Sequence, residues 1–446
     1  MTTEASRATA EASRATAASA RRWDLDTVVA EIAARIRDHV TGTGDFPAAG
    51  LGMGASGAAL LLSELSRNDP GLRPTVHALL AAEAGYAGAR GPGLITGLGS
   101  LGFAAKHAAR SPRDYATVRG RVDATLRHRL AKVLDAEYGR MESDVPGADR
   151  EHFDVVSGVT GLGRYFLAEP SDPEAVHDVL RYLVALTEPV RAAAGPLPGW
   201  FSPPWPAAVD PRRREWVLDL GLAHGIAGPL ALLSLCWTRG LRVPGHDTAI
   251  RRIARWLMSW RQEDPDAGPG WPGTVSADQE LAATRPALGP GRASWCYGAP
   301  GIARALQLAG VALGEDAWVH TAAEAMRAVF ARPGGLRGMD DPGLCHGLAG
   351  LARITGRMAD ELDDASLSAR ADEIAERLCA RFDPGTAFGF PTAPVLPLRP
   401  EPLDAPTFLE GAAGVALVLL GRSTPPAGTA DGEDREVPWD AALLLA

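Results

Sequence analysis

The sequence has little of what several protein classes require. It contains only four cysteines in 446 residues, too few for a disulfide-stabilised scaffold and typical of a reducing compartment. Lys and Arg total 45 against 54 Asp and Glu, which excludes the general basic surface of a nucleic-acid-binding protein. No uncharged apolar run could span a bilayer, and the N-terminus lacks the apolar segment of a signal peptide. We therefore expect a cytoplasmic protein with no integral membrane segment and no nucleic-acid partner.

The N-terminal residues have almost no apolar side chains to bury. The heptapeptide EASRATA at 4–10 is repeated at 11–17, and it consists of Ala, Ser, Thr, Arg and a single Glu. A segment of this composition cannot form a core. We expect residues 1–22 to be a disordered tail and residues 23–446 to form one domain.

What the chain does have is a long internal repeat. The pattern G-x-x-G, followed by an apolar run compatible with a helix, occurs seven times. Glycine permits a sharp turn and close approach of neighbouring backbone, so each copy predicts a turn that leads into a buried helix. The first glycines of the seven copies are Gly54, Gly99, Gly158, Gly225, Gly298, Gly347 and Gly411.

An amphipathic segment precedes each G-x-x-G copy, with apolar residues at helical spacing on one face. These polar-faced helices must lie outside and the apolar helices inside. An open solenoid would need polar terminal units, but the first and last units are as apolar as the others. We therefore predict an all-α fold, a closed α/α toroid of seven inner and seven outer helices. The outer segments are 25–40, 73–84, 114–138, 173–189, 247–262, 315–331 and 367–382.

Three of the seven turns carry reactive side chains just before their first glycine. The fourth turn has His224, the fifth has Cys296, and the sixth has Cys345 and His346. Because the turns occupy the same place in each unit, a closed ring would gather them at one end. That end also collects the helix N-termini, with their free N–H groups and partial positive charge. We therefore expect the functional site there.

Cys296, Cys345 and His346 form a candidate zinc site. Zinc favours thiolate and imidazole ligands in tetrahedral geometry, and three protein ligands leave one coordination position open. Without the repeat, the same residues would be interpreted as ordinary buried thiols. That is our interpretation of Cys236 and Cys379, which lie inside predicted helices.

These motifs together resemble the lanthionine synthetase C family, the class I lanthipeptide cyclases. The residues that carry the resemblance are His224–Gly228, Trp295–Gly301 and Cys345–Gly350, and the closing motif of the family is matched by Phe408–Gly414. The resemblance implies an α/α toroid with one zinc ion held by Cys, Cys and His. It also implies the addition of a peptide cysteine thiol to dehydroalanine or dehydrobutyrine, which forms a lanthionine or methyllanthionine thioether ring.

Four further residues are candidates for the chemistry of that addition. His224 would be the general acid that protonates the enolate, and Asp154 would orient or charge-stabilise it. Arg292 would stabilise the enolate charge, and Tyr297 would donate a hydrogen bond. The alternatives are that His224 caps a turn in the core, that Asp154 is only a helix N-cap, and that Arg292 is a surface residue.

The expected partner is a dehydrated precursor peptide, and the dehydratase of the same pathway is a second candidate partner. Three other functions compete with the cyclase. One is a relative in the same family that adds glutathione to dehydroamino acids in proteins. Another is a non-catalytic scaffold with a structural zinc, and the last is a different α/α toroid such as a glycosidase. The last is disfavoured because two cysteines and two histidines, rather than paired carboxylates, dominate the turns.

Overall fold

The computed structural model covers most of the chain. It describes residues 24–42, 44–86, 91–143, 147–168, 172–192, 195–203, 215–264, 268–285, 288, 292–332, 336, 339–393, 401–423 and 437–446. The tail predicted over residues 1–22 lies outside the described residues.

Seven inner helices follow the glycine turns in the described part of the chain. Most side chains in them are buried, because their sequences consist mainly of apolar and small residues. The inner helices are α2 (Ala55–Leu65), α4 (Leu98–Ala108), α7 (Val159–Ala168), α9 (Ala227–Thr238), α12 (Ala299–Leu313), α14 (Leu348–Leu362) and α16 (Ala412–Ser423).

Seven outer helices alternate with them and bury only one face. In the fifth of these, Ile250, Ile253 and Leu257 are fully buried at helical spacing. The outer helices are α1 (Leu25–Thr41), α3 (Arg73–Ala84), α5 (Ala116–Glu142), α8 (Pro173–Leu186), α10 (His246–Trp260), α13 (Asp316–Ala331) and α15 (Ala365–Ala380). The predicted all-α toroid of inner and outer helices is confirmed. Two shorter helices, α6 (Arg150–Phe153) and α11 (Ala277–Ala282), lie in connections.

Close backbone packing explains the second glycine of each G-x-x-G turn. A Cβ atom there would lie only 1.9–2.6 Å from the carbonyl oxygen six residues earlier, a distance that no other residue tolerates. The glycines in this position are Gly57, Gly161, Gly228, Gly301, Gly350 and Gly414.

The second unit corrects our assignment of its turn. Gly99, predicted as the first glycine, lies inside α4, and the residue at the N-cap is Gly97. Ser100 therefore takes the place of the second glycine, and its hydroxyl donates to the carbonyl of Leu94, six residues earlier, at 2.9 Å. The Ser100 hydroxyl forms a hydrogen bond with the carbonyl that, in the other units, lies close to the second glycine. The motif of this unit is therefore G-x-x-S.

Backbone hydrogen bonds between successive turns close the ring. The N–H of each turn donates to a carbonyl of the next, and α16 of the last unit packs against α1 and α2 of the first. The bonds join Leu51 to Ile95, Ile95 to Val156, Val155 to Ala223, Leu222 to Cys296, Cys296 to Cys345, Cys345 to Leu409, and Leu409 to Gly52, with N···O distances of 2.8–3.4 Å. All seven turns therefore meet at one mouth of the ring.

The C-terminal segment 437–446 occupies the centre of the ring. It contains a 3-10 helix, Trp439–Leu443, and contacts inner helices from several units. Asp440 is fully buried and bonded to Arg353 and Arg357 of α14 at 2.7–2.8 Å. The indole N–H of Trp295 donates to the carbonyl of Leu443 at 2.9 Å. This segment therefore supports the residue next to Cys296 from inside the ring.

In the described residues, three antiparallel strand pairs, which the sequence did not predict, lie in the connections around the fourth and fifth units. Each strand is three residues long, and the middle pair joins the connection before α9 to the connection before α12. The pairs are β1 (Val190–Ala192) with β2 (Gly195–Leu197), β3 (Val217–Asp219) with β6 (Thr274–Ser276), and β4 (Gln262–Asp264) with β5 (Gly268–Gly270). None of the described helices is both long and apolar enough to cross a membrane.

Candidate metal and acid site

Cys296, Cys345 and His346 meet at the mouth of the ring, on the turns before α12 and α14. Their ligand atoms all lie within 4.8 Å of one another, and Cys296 Sγ is 4.0 Å from His346 Nδ1. The ring-closing hydrogen bond from the Cys296 N–H to the Cys345 carbonyl holds the two turns together. Among the described residues this is the one group of Cys, His and carboxylate side chains so arranged for a metal ion.

The donor set and its spacing fit zinc. Tetrahedral zinc with Zn–S bonds of about 2.3 Å and Zn–N bonds of about 2.0 Å places its ligand atoms about 3.5–3.8 Å apart. The separation of 4.0 Å between Cys296 Sγ and His346 Nδ1 is close to this range, and the other ligand atoms lie within 4.8 Å of one another. Cys296 is buried, whereas Cys345 and His346 are partly exposed, so the group opens toward the mouth.

The two thiols titrate as a pair. A hydrogen bond from Cys345, with help from His346 and Ser294, holds the pKa of the Cys296 thiol well below its ordinary range despite burial. The same hydrogen bond and burial raise the pKa of Cys345 well above it. One proton therefore leaves easily and the second does not. A bound cation would favour loss of both, so metal affinity should rise with pH.

His224 is paired with Asp154 one turn further round the mouth. Its Nδ1 lies 2.6 Å from Asp154 Oδ2, and Asp154 is fully buried whereas the imidazole is 27% exposed. Burial lowers the pKa of His224, but the hydrogen bond to Asp154 and the charges of Asp154, Asp219 and Cys296 outweigh it, so the pKa lies above its ordinary value. The charged imidazolium is thus stabilised beside the metal-binding group.

Asp154 also caps the third turn. Its other carboxylate oxygen, Oδ1, accepts from the backbone N–H groups of Ser157 and Gly158 at 2.7 and 2.8 Å. The two roles considered from the sequence, capping a turn and holding His224, are therefore performed by the two oxygens of one carboxylate.

The hydroxyl of Tyr297 points to a residue that our sequence analysis missed. It donates to Asp219 Oδ2 at 2.7 Å, while Asp219 Oδ1 accepts from the N–H of Gly221 at 2.9 Å. Asp219 is 1% exposed, and burial raises its pKa despite these bonds and the nearby charge of Arg150. Asp219 therefore ties the turn of His224 to the turn of Cys296.

A sequence signal for Asp219 exists in the repeat. Asp219–Gly225 reads DLGLAHG and Asp341–Gly347 reads DPGLCHG, so both turns share the pattern D-x-G-L-x-H-G. Asp341 Oδ1 accepts from the N–H of Gly343 at 2.7 Å, as Asp219 does from its own turn. Aligning the fourth and sixth turns over seven residues would have found both carboxylates.

The other candidates have simpler surroundings. The Arg292 side chain is exposed on the loop before Cys296 and has no polar partner among the described residues. Cys236 and Cys379 are buried, and burial raises their pKa values to about 12 and about 11. Interaction with Cys296 is the main cause that raises the pKa values of Cys345 and His346, and the charge of Glu410, on the seventh turn, adds to it. Glu410 therefore contributes to the electrostatics of the metal-binding group.

Comparison with known proteins agrees with this fold. The chain is 24% identical over 205 residues to the nisin biosynthesis protein NisC of Lactococcus lactis subsp. lactis, a stretch covering 45% of this chain and 44% of NisC. The aligned stretch thus spans less than half the length of that relative. The solved structure of nisin cyclase superposes with a TM-score of 0.72 at 19% identity, covering 94% of this chain and 96% of that one. Residues 48–427 match the family described as lanthionine synthetase C-like protein. The chain therefore belongs to the lanthionine synthetase C-like family.

Proposed function

We propose that this chain is a zinc-dependent lanthipeptide cyclase that closes thioether rings in a dehydrated precursor peptide. The observation that carries the proposal is the juxtaposition of a Cys–Cys–His group and a His–Asp pair at one mouth of the ring. The family membership and the likeness to a structure named nisin cyclase support it.

The reaction adds S–H across a carbon–carbon double bond. The substrate cysteine sulfur, as a thiolate, bonds to the β carbon of dehydroalanine or dehydrobutyrine, and the π electrons move toward the carbonyl to give an enolate. The α carbon then takes a proton. Zinc bound by Cys296, Cys345 and His346 would supply an open position that holds the substrate thiol in its thiolate form.

The protein's own residues supply the proton. We assign His224 as the general acid, since its imidazolium is stabilised by Asp154 and its ring is accessible at the mouth. In the imidazolium both ring nitrogens carry a proton, and the Nδ1–H donates to Asp154, which leaves the Nε2–H to protonate the α carbon. The proton that the substrate thiol loses goes to solvent, and a proton taken from solvent restores the imidazolium.

Two more residues have proposed roles. The Tyr297 hydroxyl already donates to Asp219 and would therefore not donate to substrate. Its ring would instead form a rigid aromatic wall between the metal-binding group and His224. Arg292 stays our candidate for the enolate charge, because it lies four residues before Cys296 and its side chain is exposed. A dehydratase that makes the dehydroamino acids would act before this protein and is a candidate partner.

A synthetic peptide with one cysteine and one dehydroalanine tests the function. We expect thiol loss without change in mass, read by alkylation and mass spectrometry, above the spontaneous rate. Consumption of added glutathione in preference to ring closure would replace the cyclase with the glutathione-adding alternative. Reaction no faster than the spontaneous rate would refute both.

Matched cysteine variants test the metal site. We expect about one zinc per chain in the wild type, and Cys345→Ala should lose both the zinc and the activity. Cys379→Ala removes a buried thiol of an outer helix and should retain both. Equal zinc content in the two variants would contradict the ligand assignment.

A further inference from the structure

Each turn of the ring presents at least one side chain to the mouth. We define the rim residue of a unit as the residue immediately before the first glycine of its turn. Every rim residue is at least partly exposed, whereas the residue two positions earlier in every turn is buried. In chain order the rim residues are Met53, Thr96, Ser157, His224, Tyr297, His346 and Glu410.

Four rim side chains contact the preceding unit, and one of them is His346, whose Nδ1 lies 4.0 Å from Cys296 Sγ of the fifth unit. His224 reaches Asp154 of the third unit, and Tyr297 reaches Asp219 of the fourth. Likewise Ser157 of the third unit reaches Thr96 of the second. The three rim residues of the proposed site, His224, Tyr297 and His346, are therefore consecutive members of one line of side chains. The line continues past His224 with Ser157 and then Thr96.

Thr96 and Ser157 form a hydroxyl pair that is fixed beside the proposed acid. Thr96 Oγ1 lies 3.1 Å from Ser157 Oγ, and both residues are accessible at the mouth. The backbone N–H of Ser157 donates to Asp154 Oδ1 at 2.7 Å, and Asp154 holds His224 through its other oxygen. The position of the pair relative to His224 is thus set by one buried carboxylate.

Two bonded hydroxyls present both a donor and acceptors outward. One hydroxyl hydrogen is used between them, which leaves the other hydrogen and several lone pairs for a ligand. A peptide backbone requires this combination, because each amide offers one N–H and one C=O. The pair carries no charge and therefore places no demand on the side chains of the peptide.

Resting on the proposed function, we propose that Thr96 and Ser157 form a subsite for the substrate backbone next to the dehydroamino acid. The reacting double bond must lie between the Cys–Cys–His group and His224. Peptide that continues past it, away from the metal-binding group, crosses the third and second turns, where the hydroxyl pair lies. A backbone subsite would serve precursor peptides of different sequence.

Substitution of the pair tests the subsite with the synthetic peptide that carries one cysteine and one dehydroalanine. The combined variant Thr96→Val with Ser157→Ala should raise KM about 5- to 10-fold, the effect of losing a neutral hydrogen bond or two, with kcat and zinc content unchanged. Thr125→Val is the matched control, since its hydroxyl donates to a carbonyl of outer helix α5. An unchanged KM, or a fall in kcat or zinc content without a change in KM, would overturn the subsite.

A binding measurement separates this proposal from the cyclase assignment. A fluorescent, unreactive peptide with serine for cysteine and alanine for dehydroalanine should bind the wild type and bind the combined variant about 5- to 10-fold more weakly. That result would support the subsite even if the wild type forms no ring. Equal binding to the two proteins, or no binding to the wild type, would refute it.

Discussion

The pairing of His224 with a buried carboxylate gives the sharpest test of its role as an acid. In Asp154→Asn the amide oxygen can still accept from the N–H groups of Ser157 and Gly158, so the turn stays capped. What is lost is the negative charge 2.6 Å from His224 Nδ1. The variant therefore separates the charge on this residue from its structural role.

The size of the effect follows from the pair. A partner charge at contact distance moves a pKa by about 1–3 units, and each unit is about 1.4 kcal/mol. Since burial alone lowers the pKa of His224, loss of the Asp154 charge should lower that pKa. A general acid works in its protonated form, which exists below its pKa. The rate of the wild type therefore falls as pH rises through the raised pKa of His224, and in Asp154→Asn the fall should begin at lower pH.

The assay is the pH profile of kcat for ring closure between about pH 5 and pH 9, with zinc content measured at each pH. At neutral pH we expect the rate of Asp154→Asn to be about 10- to 100-fold below that of the wild type, with partial recovery toward acid pH. Glu83→Gln is the matched control, because Glu83 is also a buried carboxylate that accepts two backbone N–H groups of a turn. An alkaline limb that does not move in Asp154→Asn, with zinc retained, would refute the assignment of His224.

Three further predictions concern the ring that carries the site. Asp219→Asn and Tyr297→Phe break the same hydrogen bond, so each should lower kcat about 5- to 10-fold, and the kcat of the double variant should be no lower than that of either single variant. If the two losses in kcat are additive, the residues act separately. Gly350→Ala places a Cβ 2.0 Å from a backbone carbonyl oxygen and should lower the free energy of unfolding, measured by denaturant titration, by about 2–4 kcal/mol. In the control Gly356→Ala, in the same helix, the Cβ meets no atom closer than 3.5 Å, so that free energy should be unchanged or higher. Asp440→Asn leaves two arginines without their buried partner and should cost about 3 kcal/mol, measured by the same titration, and an unchanged midpoint would contradict a supporting role for the C-terminal segment.

The sequence predicted the parts of this structure that repeat. Each unit has to bury an apolar inner helix against an amphipathic outer one, and the glycine turns mark where each inner helix begins, so seven local patterns define one ring. The same repeat placed Cys296, Cys345 and His346 together, although the two cysteines are 49 residues apart in the chain. A motif search without the repeat would have had no reason to combine them.

What the sequence did not predict depends on single contacts between distant residues. Ser100 replaces a glycine because its hydroxyl can bond the carbonyl that glycine merely approaches, and this substitution shifted our assignment of the second turn by two residues. Asp219 sits in a three-residue strand that is too short to show a period, so an alignment of the fourth turn with the sixth was needed to find it. The segment 437–446 is held by arginines more than 80 residues away, and nothing in its own pattern indicates where those lie.

The metal-binding group and the stability of the ring depend on the same backbone atoms. The carbonyls of Cys296 and Cys345 accept backbone hydrogen bonds that join neighbouring turns, and Trp295, next to Cys296, is bonded to the C-terminal segment in the centre. A turn that moved to accommodate a ligand would therefore have to break a ring-closing hydrogen bond. Since a metal that binds only the folded ring adds its binding free energy to folding, closure of the ring and occupation of the site must favour each other. This coupling gives a physical reason for the position of the site on the turns, where seven units fix its geometry. Adjustment to a bound ligand is then made by the exposed rim side chains.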